Sequence, residues 1–315
     1  MTMYQVRRWM PLIVLVALCI CIGVVEPRFL TLGNLIRIAS SSAMPIVVAL
    51  GATFIIMMGS IDLSIEGSLA FCGAVLVSFS SSQAALNLGL LSVPIAILAG
   101  GAFGAAIGYA HVKMKIPSFM ASLGLGFVGI GIATLILGGE RVPVGNDLVR
   151  AIAIQRIADV PISVFIAMLA LSIAWAIQYH TKLGRHIVAI GGGEELARVS
   201  GVNVEKTRVW AFAIAGLFFG TGAVIACARL GAASALIGTG QLFAAISAVV
   251  VGGTALTGGQ GGVINTLVGV LIVMVISNGM IIVGLPTYIQ QGVLGAAIIA
   301  AVLINMSGKV PALVK

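Results

Sequence analysis

The chain has 315 residues, is 60% hydrophobic and only 8% charged, and has a mean hydropathy of +1.19. Ordinary soluble domains carry roughly 25% charged residues, so a soluble globular protein is excluded. The formal charge of +8 at pH 7 points, in so oily a chain, to loop orientation and anionic lipid rather than to nucleic acid.

Continuous apolar blocks of about 18–22 residues are long enough to cross a hydrocarbon core of roughly 30 Å as helices. They do not alternate as barrel strands would. The expected fold is therefore all-α: a polytopic integral membrane helical bundle of about ten transmembrane helices, forming one domain over residues 1–315. In chain order the expected spans are Trp9–Val25, Met44–Met58, Leu63–Ser81, Leu91–His111, Pro117–Leu137, Pro161–Tyr179, Val209–Leu230, Gly240–Leu256, Val263–Val283 and Tyr288–Asn305. Arg7-Arg8 before the first block resembles a signal peptide, but no small-x-small cleavage site follows before Glu26-Pro27, so the first span is expected to be uncleaved. The second and eighth spans are short and run into Gly-rich turns. A broken or partly re-entrant path is open for both, because irregular backbone is tolerated at membrane depth where protein or a water-filled cavity satisfies it.

With the N-terminus inside, eleven Lys and Arg fall on one side and six on the other, namely Arg28, Arg37, Arg141, Arg150, Arg156 and Arg229. The positive-inside rule then predicts both termini in the cytoplasm. Trp9, Trp175 and Trp210 fall near span ends on that same side, as an interfacial aromatic belt requires. Residues 139–160 become the largest external loop, either a receiving surface for a soluble partner or a solvated connector.

Four polar stretches stand out. In Gly59–Ser68 two acids, Asp62 and Glu66, lie between apolar blocks. One reading makes Asp62 the organiser of a helix break lining a polar pathway, its carboxylate capping the next helix with help from Ser64. The other makes this a short hydrated cytoplasmic turn. The segment 181–208 holds eight charged residues and the punctuating Gly184, Gly191, Gly192, Gly193 and Gly201. Within it, Glu194–Val199 predicts a short helix whose leading acids suit a helix N-terminus. Such a helix forms a compact knob for another protein's groove; a plain solvated loop is the alternative. The turn Gly252–Gly262, containing Thr257, faintly echoes the Asp62 region, although both are expected on the same face and so do not suggest an inverted pair. Last, Asn278-Gly279 offers an amide within an apolar span, where Asn278 is open to a helix–helix hydrogen bond worth about 0.6 kcal/mol.

No GxxxxGK[ST] phosphate loop occurs. No nucleophile–base pair, paired carboxylates or HExxH set is present, so no catalytic residue, metal site or cofactor is expected. The four cysteines lie in apolar blocks without ligand spacing and read as packing residues.

Taken in order, Pro27-Arg28-Phe29, Asn34-Leu35, Gly59–Ser64, Lys115–Phe119 with Leu123-Gly124, Thr181–Val202, Gly252–Gly262, Asn278-Gly279 and Gln290 carry a resemblance that covers nearly the whole chain. The chain resembles the inner-membrane permeases of bacterial ABC importers for ribose, xylose and related small sugars, a group that includes autoinducer-2 permeases. The resemblance implies a permease subunit without enzymatic activity, working with a cytoplasmic ATPase, a periplasmic sugar-binding protein and a second permease copy, as homodimer or heterodimer. It implies that 181–208 is a coupling loop docking on the ATPase, with Gly184, Gly191, Glu194, Glu195, Ala197 and Gly201 as its residues. Glu195, Ala197 and Gly201 match the family's E-x-A-x3-G spacing, while Leu196 stands where Ala is usual. Family members often carry Gly where this chain has Ser60 and Glu66. Asp62, Ser64, Thr257, Asn278 and Gln290 are the candidate contacts along the translocation path. The cargo implied is a ribose- or xylose-like sugar, with autoinducer-2 or a nucleoside as alternatives, and an autonomous secondary transporter as the rival mechanism.

Overall fold

The computed structural model describes residues 3–80 and 86–286 and scattered positions from 289 to 299, with side chains from Trp9 onward. Its helices are α1 (Met3–Val25), α2 (Leu32–Met57), α3 (Ile65–Ser78), α4 (Ser92–Lys113), α5 (Ser118–Leu137), α6 (Asp147–Ile154), α7 (Ile162–His180), α8 (Lys182–Gly192), α9 (Glu194–Val199), α10 (Val204–Leu230), α11 (Gln241–Val251) and α12 (Val263–Ile282). Among the described residues, the strands are two-residue pairings: Val142–Pro143 with Ala232–Ala233, and Arg156–Ile157 with Val160–Pro161.

Six helices are long and apolar enough to cross a membrane, and α3, α11 and the Trp9–Val25 part of α1 are shorter apolar helices. The tenth expected span, Tyr288–Asn305, lies outside the described residues. The second span departs most from expectation. Hydropathy starts it at Met44 because Asn34, Arg37 and Ser40–Ser42 precede it, yet the helix runs from Leu32 through all of them. A helix satisfies its own backbone whatever its side chains are, and Ser42 turns its hydroxyl back onto the Ile38 carbonyl (2.7 Å).

α2 and α10 form the centre: each is 78% buried along its span, against 28–39% for the other long helices. They run antiparallel, with Arg229 donating to Ser41 (3.1 Å) at one end, Gly222 under Val48, and Gly51 against Phe218 and Phe219 further on. α4 packs along α10 through a seam of small residues, with Gly100 on Gly216 and Gly104 on the Phe212 carbonyl. Such close approach is how membrane helices gain dispersion contact without a hydrophobic drive between them. α12 joins α2 through a buried hydroxyl pair, Thr53–Thr266 (2.6 Å).

The ends of the bundle are unlike each other. One carries α8 and α9, the turn after α2, the start of α12 and the start of α1, where Pro11 lies near Gly253. Trp9, Trp175 and Trp210 are all exposed and all lie toward this end. The opposite end carries α6, both strand pairs, and an amide pair in which Asn34 and Asn278 each donate to the other (3.0 and 3.1 Å).

Two segments run along the bundle as broken rather than continuous helices. After α2, residues 60–64 run without helical structure along the start of α5: Ile61 N–H donates to the Ser118 hydroxyl (3.1 Å) and Leu63 N–H to the Ser122 hydroxyl (2.8 Å). The α3 helix then begins against Gly126, one to two turns further along α5. On the other side, α10 ends at Leu230, the chain descends irregularly past Gly73 of α3, and α11 begins only at Gln241. The turn Gly252–Gly262 does follow α11 at the α8–α9 end, but the structural counterpart of the Asp62 break is residues 231–240. Each break follows a long central helix and precedes a short one, and because α2 and α10 are antiparallel, α3 and α11 start at a common level and point to opposite ends. An inverted arrangement is therefore present, which the turn-to-turn comparison could not show because it paired the wrong segments.

Candidate functional site: a knob seated on glycine-rich turns

The charged segment 181–208 folds almost entirely as helix. Thr181 caps α8, its hydroxyl accepting from Gly184 N–H (3.1 Å), and Asn203 caps α10 by accepting from Lys206 N–H (2.9 Å). Glu205, Lys206 and Arg208 are thus the first turns of α10 rather than loop residues. Between them α9 matches the expected Glu194–Val199. It ends in a Schellman closure, Val202 N–H to Ala197 C=O (3.0 Å) and Gly201 N–H to Arg198 C=O (3.1 Å), with Gly201 at φ +85°. That left-handed conformation favours glycine.

The two acids of α9 have different jobs. Glu194 turns inward and accepts from Arg208 Nη2 (2.7 Å) and from Arg198 Nη2 (2.9 Å). Desolvation pushes its carboxyl upward, but the guanidiniums of Arg208 and Arg198 outweigh that and hold it below the usual carboxylate range. Glu194 therefore clamps α9 to α10. Glu195 is exposed, beside Leu196 (72% exposed) and Val199 (77% exposed). Ala197 is buried beneath the helix. Two apolar side chains this bare, beside a carboxylate with no partner among the described residues, leave the outer face of α9 unpacked.

The knob is locked to the bundle by its glycines. Gly184 lies on the carbonyls of Ile177 and Gln178, making a tight elbow between α7 and α8. Gly191 lies on the Met57 carbonyl at the end of α2 and on Gly258-Gly259. Gly259 N–H donates to that same Met57 carbonyl (3.0 Å), and Gly59 stands against the Thr257 carbonyl. Three stretches far apart in sequence thus meet at one junction: the end of α2, the end of α8 and the turn before α12.

Gln178, which sequence reasoning passed over, completes the junction. This buried amide accepts from Val263 N–H at the start of α12 (2.8 Å), while Thr254 accepts from Gly262 N–H (3.2 Å). Polar Gln at the end of an apolar span was the available signal. Gln178→Ala leaves the Val263 N–H buried without a partner and is expected to cost about 1–3 kcal/mol. A lowered unfolding midpoint of the detergent-solubilised protein would report it, and an unchanged midpoint would contradict it.

The candidate pathway residues are not gathered in one place. Asp62 is 5% exposed, its Oδ1 accepting from Ser64 N–H (2.7 Å). The expected cap is therefore an Asx turn just ahead of α3, not a bond to its first turn, because the carboxylate reaches only two residues on. Ser64 is buried and pairs its hydroxyl with Ser68 (3.2 Å). Thr257 is exposed in the turn beneath the knob, and Asn278 is paired with Asn34 at the opposite end. Gln290 lies outside the described residues. Ser118 and Ser122, four residues apart on one face of α5, satisfy the break before α3 and were not singled out from the sequence.

Comparison with known proteins places this architecture. The chain matches the family described as branched-chain amino acid transport system / permease component over residues 34–302. It is 34% identical over 310 residues to the ribose import permease protein of Escherichia coli, covering 96% of each chain. It is 32% identical over 285 residues to the D-allose transport system permease protein of the same species, covering 90% of this chain and 86% of that one. To the galactose/methyl galactoside import permease protein of Haemophilus influenzae it is 30% identical over 307 residues, 91% of each. No solved structure matches the chain.

Proposed function

The chain belongs to the branched-chain amino acid transport system permease family, and on that premise we propose that it is the membrane-spanning subunit of an ATP-driven ABC importer for a small sugar of the ribose or xylose type. The relatives named for ribose, allose and galactose support the sugar class, and the relative at 34% identity is a ribose import permease. The multi-pass chain lies in a bacterial inner membrane, with both termini and the α8–α9 knob in the cytoplasm. A cytoplasmic ATPase grips the knob, a periplasmic binding protein delivers the sugar at the opposite end, and a second permease copy completes the path.

The observation that carries this reading is the junction at Gly191. A push on α9 reaches α10 through the Glu194–Arg208 pair, α2 through Gly191 on Met57, and α12 through the turn Gly258-Gly259. Those are the two central helices and a third one packed on α2, so a rigid displacement of the knob moves the whole core against its surroundings. Such rigid-body motion about packed interfaces is a standard means of alternating access. The test is reconstitution in proteoliposomes with and without the ATPase and binding protein. Sugar uptake is expected only with both and with ATP. Uptake driven by an ion gradient from the permease alone would overturn the reading in favour of a secondary transporter.

A further inference from the structure

The level at which α3 begins has a consequence for Glu66. α5 has 20 residues and is about 30 Å long. Gly67 lies on the backbone of Gly126 and Gly129, which are about 12 and 16 Å from the start of α5 at the helical rise per residue. Glu66, the neighbour of Gly67, therefore sits near the middle of the span.

Glu66 is half-buried, and its Oε1 accepts from Gly240 N–H (2.8 Å) at the start of α11. No other hydrogen bond or ion pair reaches that carboxylate among the described residues. Thr239 and Gly240 beside it are exposed and belong to non-helical backbone. A partly exposed carboxylate beside exposed, non-helical backbone at mid-depth is incompatible with hydrocarbon, which offers the free carboxylate oxygen no partner. It is compatible with a water-filled route, where charged residues inside membranes are found.

We propose that Glu66 lines the sugar's route at mid-depth and determines specificity there, its second carboxylate oxygen accepting a hydrogen bond from a hydroxyl of the passing neutral sugar. This rests on the permease reading above. A carboxylate is acceptor-only when ionised and suits a ligand rich in hydroxyl donors, and charge-assisted bonds of this kind are about twice as strong as neutral ones.

Glu66→Gln keeps the shape and keeps an acceptor for Gly240 N–H, so a purely structural role survives the change. With the ATPase and binding protein present, we expect its uptake of radiolabelled D-ribose, D-xylose or D-allose, whichever the wild type carries, to fall about tenfold in kcat/KM, with the ranking of the sugars altered. In a second arm, Glu66→Cys is placed in a chain carrying Cys19→Ala and Cys21→Ala. Its thiol is expected to react with a water-soluble methanethiosulfonate. Wild-type kinetics and ranking for Glu66→Gln, or reaction of the thiol only with a lipid-dissolved maleimide, overturns the proposal. Either result is read with wild-type uptake intact, which separates it from failure of the permease reading, where the wild-type complex itself moves no sugar.

Discussion

Gly191→Val is expected to remove most of the assembled protein from the membrane fraction and to abolish transport in what remains. A β-carbon at 191 would fall on the Met57 carbonyl and on Gly259 N, the two atoms joined by the hydrogen bond that ties the α2 end to the turn before α12. Neither neighbour is the far end of a flexible side chain, so relief requires backbone movement in α2, α8 and the turn together. Overpacking of this kind costs about 1–3 kcal/mol. Each buried peptide group that loses its partner costs about 1–3 kcal/mol more. The sum is a large part of the roughly 5–15 kcal/mol by which folded proteins are stable. Gly192, one residue on, has nothing within 4 Å of such a β-carbon, so Gly192→Ala is expected to be neutral or slightly stabilising. Quantitative immunoblots of membranes with an unfolding midpoint for each variant check both. Equal tolerance at 191 and 192 would contradict the junction.

Glu195→Arg is expected to leave the protein folded and in the membrane but to lower ATP-driven uptake more than a hundredfold. The carboxylate is exposed beside the bare side chains of Leu196 and Val199 and has no partner in the bundle among the described residues. The few hot-spot residues near the centre of an interface cost about 2 kcal/mol or more when removed, and a hundredfold loss corresponds to about 3 kcal/mol. Glu194→Ala acts differently, because Arg208 is mostly buried against α9 and loses its carboxylate. That variant should retain the contact surface but present it loosely. Uptake by the reconstituted complex, paired with co-purification of the ATPase, separates the two. Unimpaired transport by Glu195→Arg would contradict docking at this surface.

Much of the knob was legible from residues alone. Glu194–Val199 followed from acids ahead of a helical run and glycines on either side, and both are local signals. Gly201 needed its left-handed conformation for the same local reason. What was missed depends on distant partners. Asn278 was open between a contact on the path and a helix–helix hydrogen bond, and only the fold shows that its amide pairs with Asn34, 244 residues away. Asp62 was open between a hydrated turn and an organised break, and only Ser118 and Ser122, lying alongside, decide for the break. The start of α2 was misjudged because hydropathy weighs side chains while helix formation satisfies the backbone.

By itself the sequence determined that this chain is a bundle of apolar helices, where most of them run, and that a charged, glycine-bounded segment projects from one end. Hydropathy and helix caps are properties of a few consecutive residues, so they survive without knowledge of the fold. Tertiary structure alone decided that Gly59, Gly191 and Gly259 meet, that two spans are broken at a common level, and that Glu66 stands at that level. Those facts depend on which helices lie side by side. Close backbone contact through small residues sets that pairing, and small residues occur throughout this chain, so their positions in the sequence do not reveal their partners.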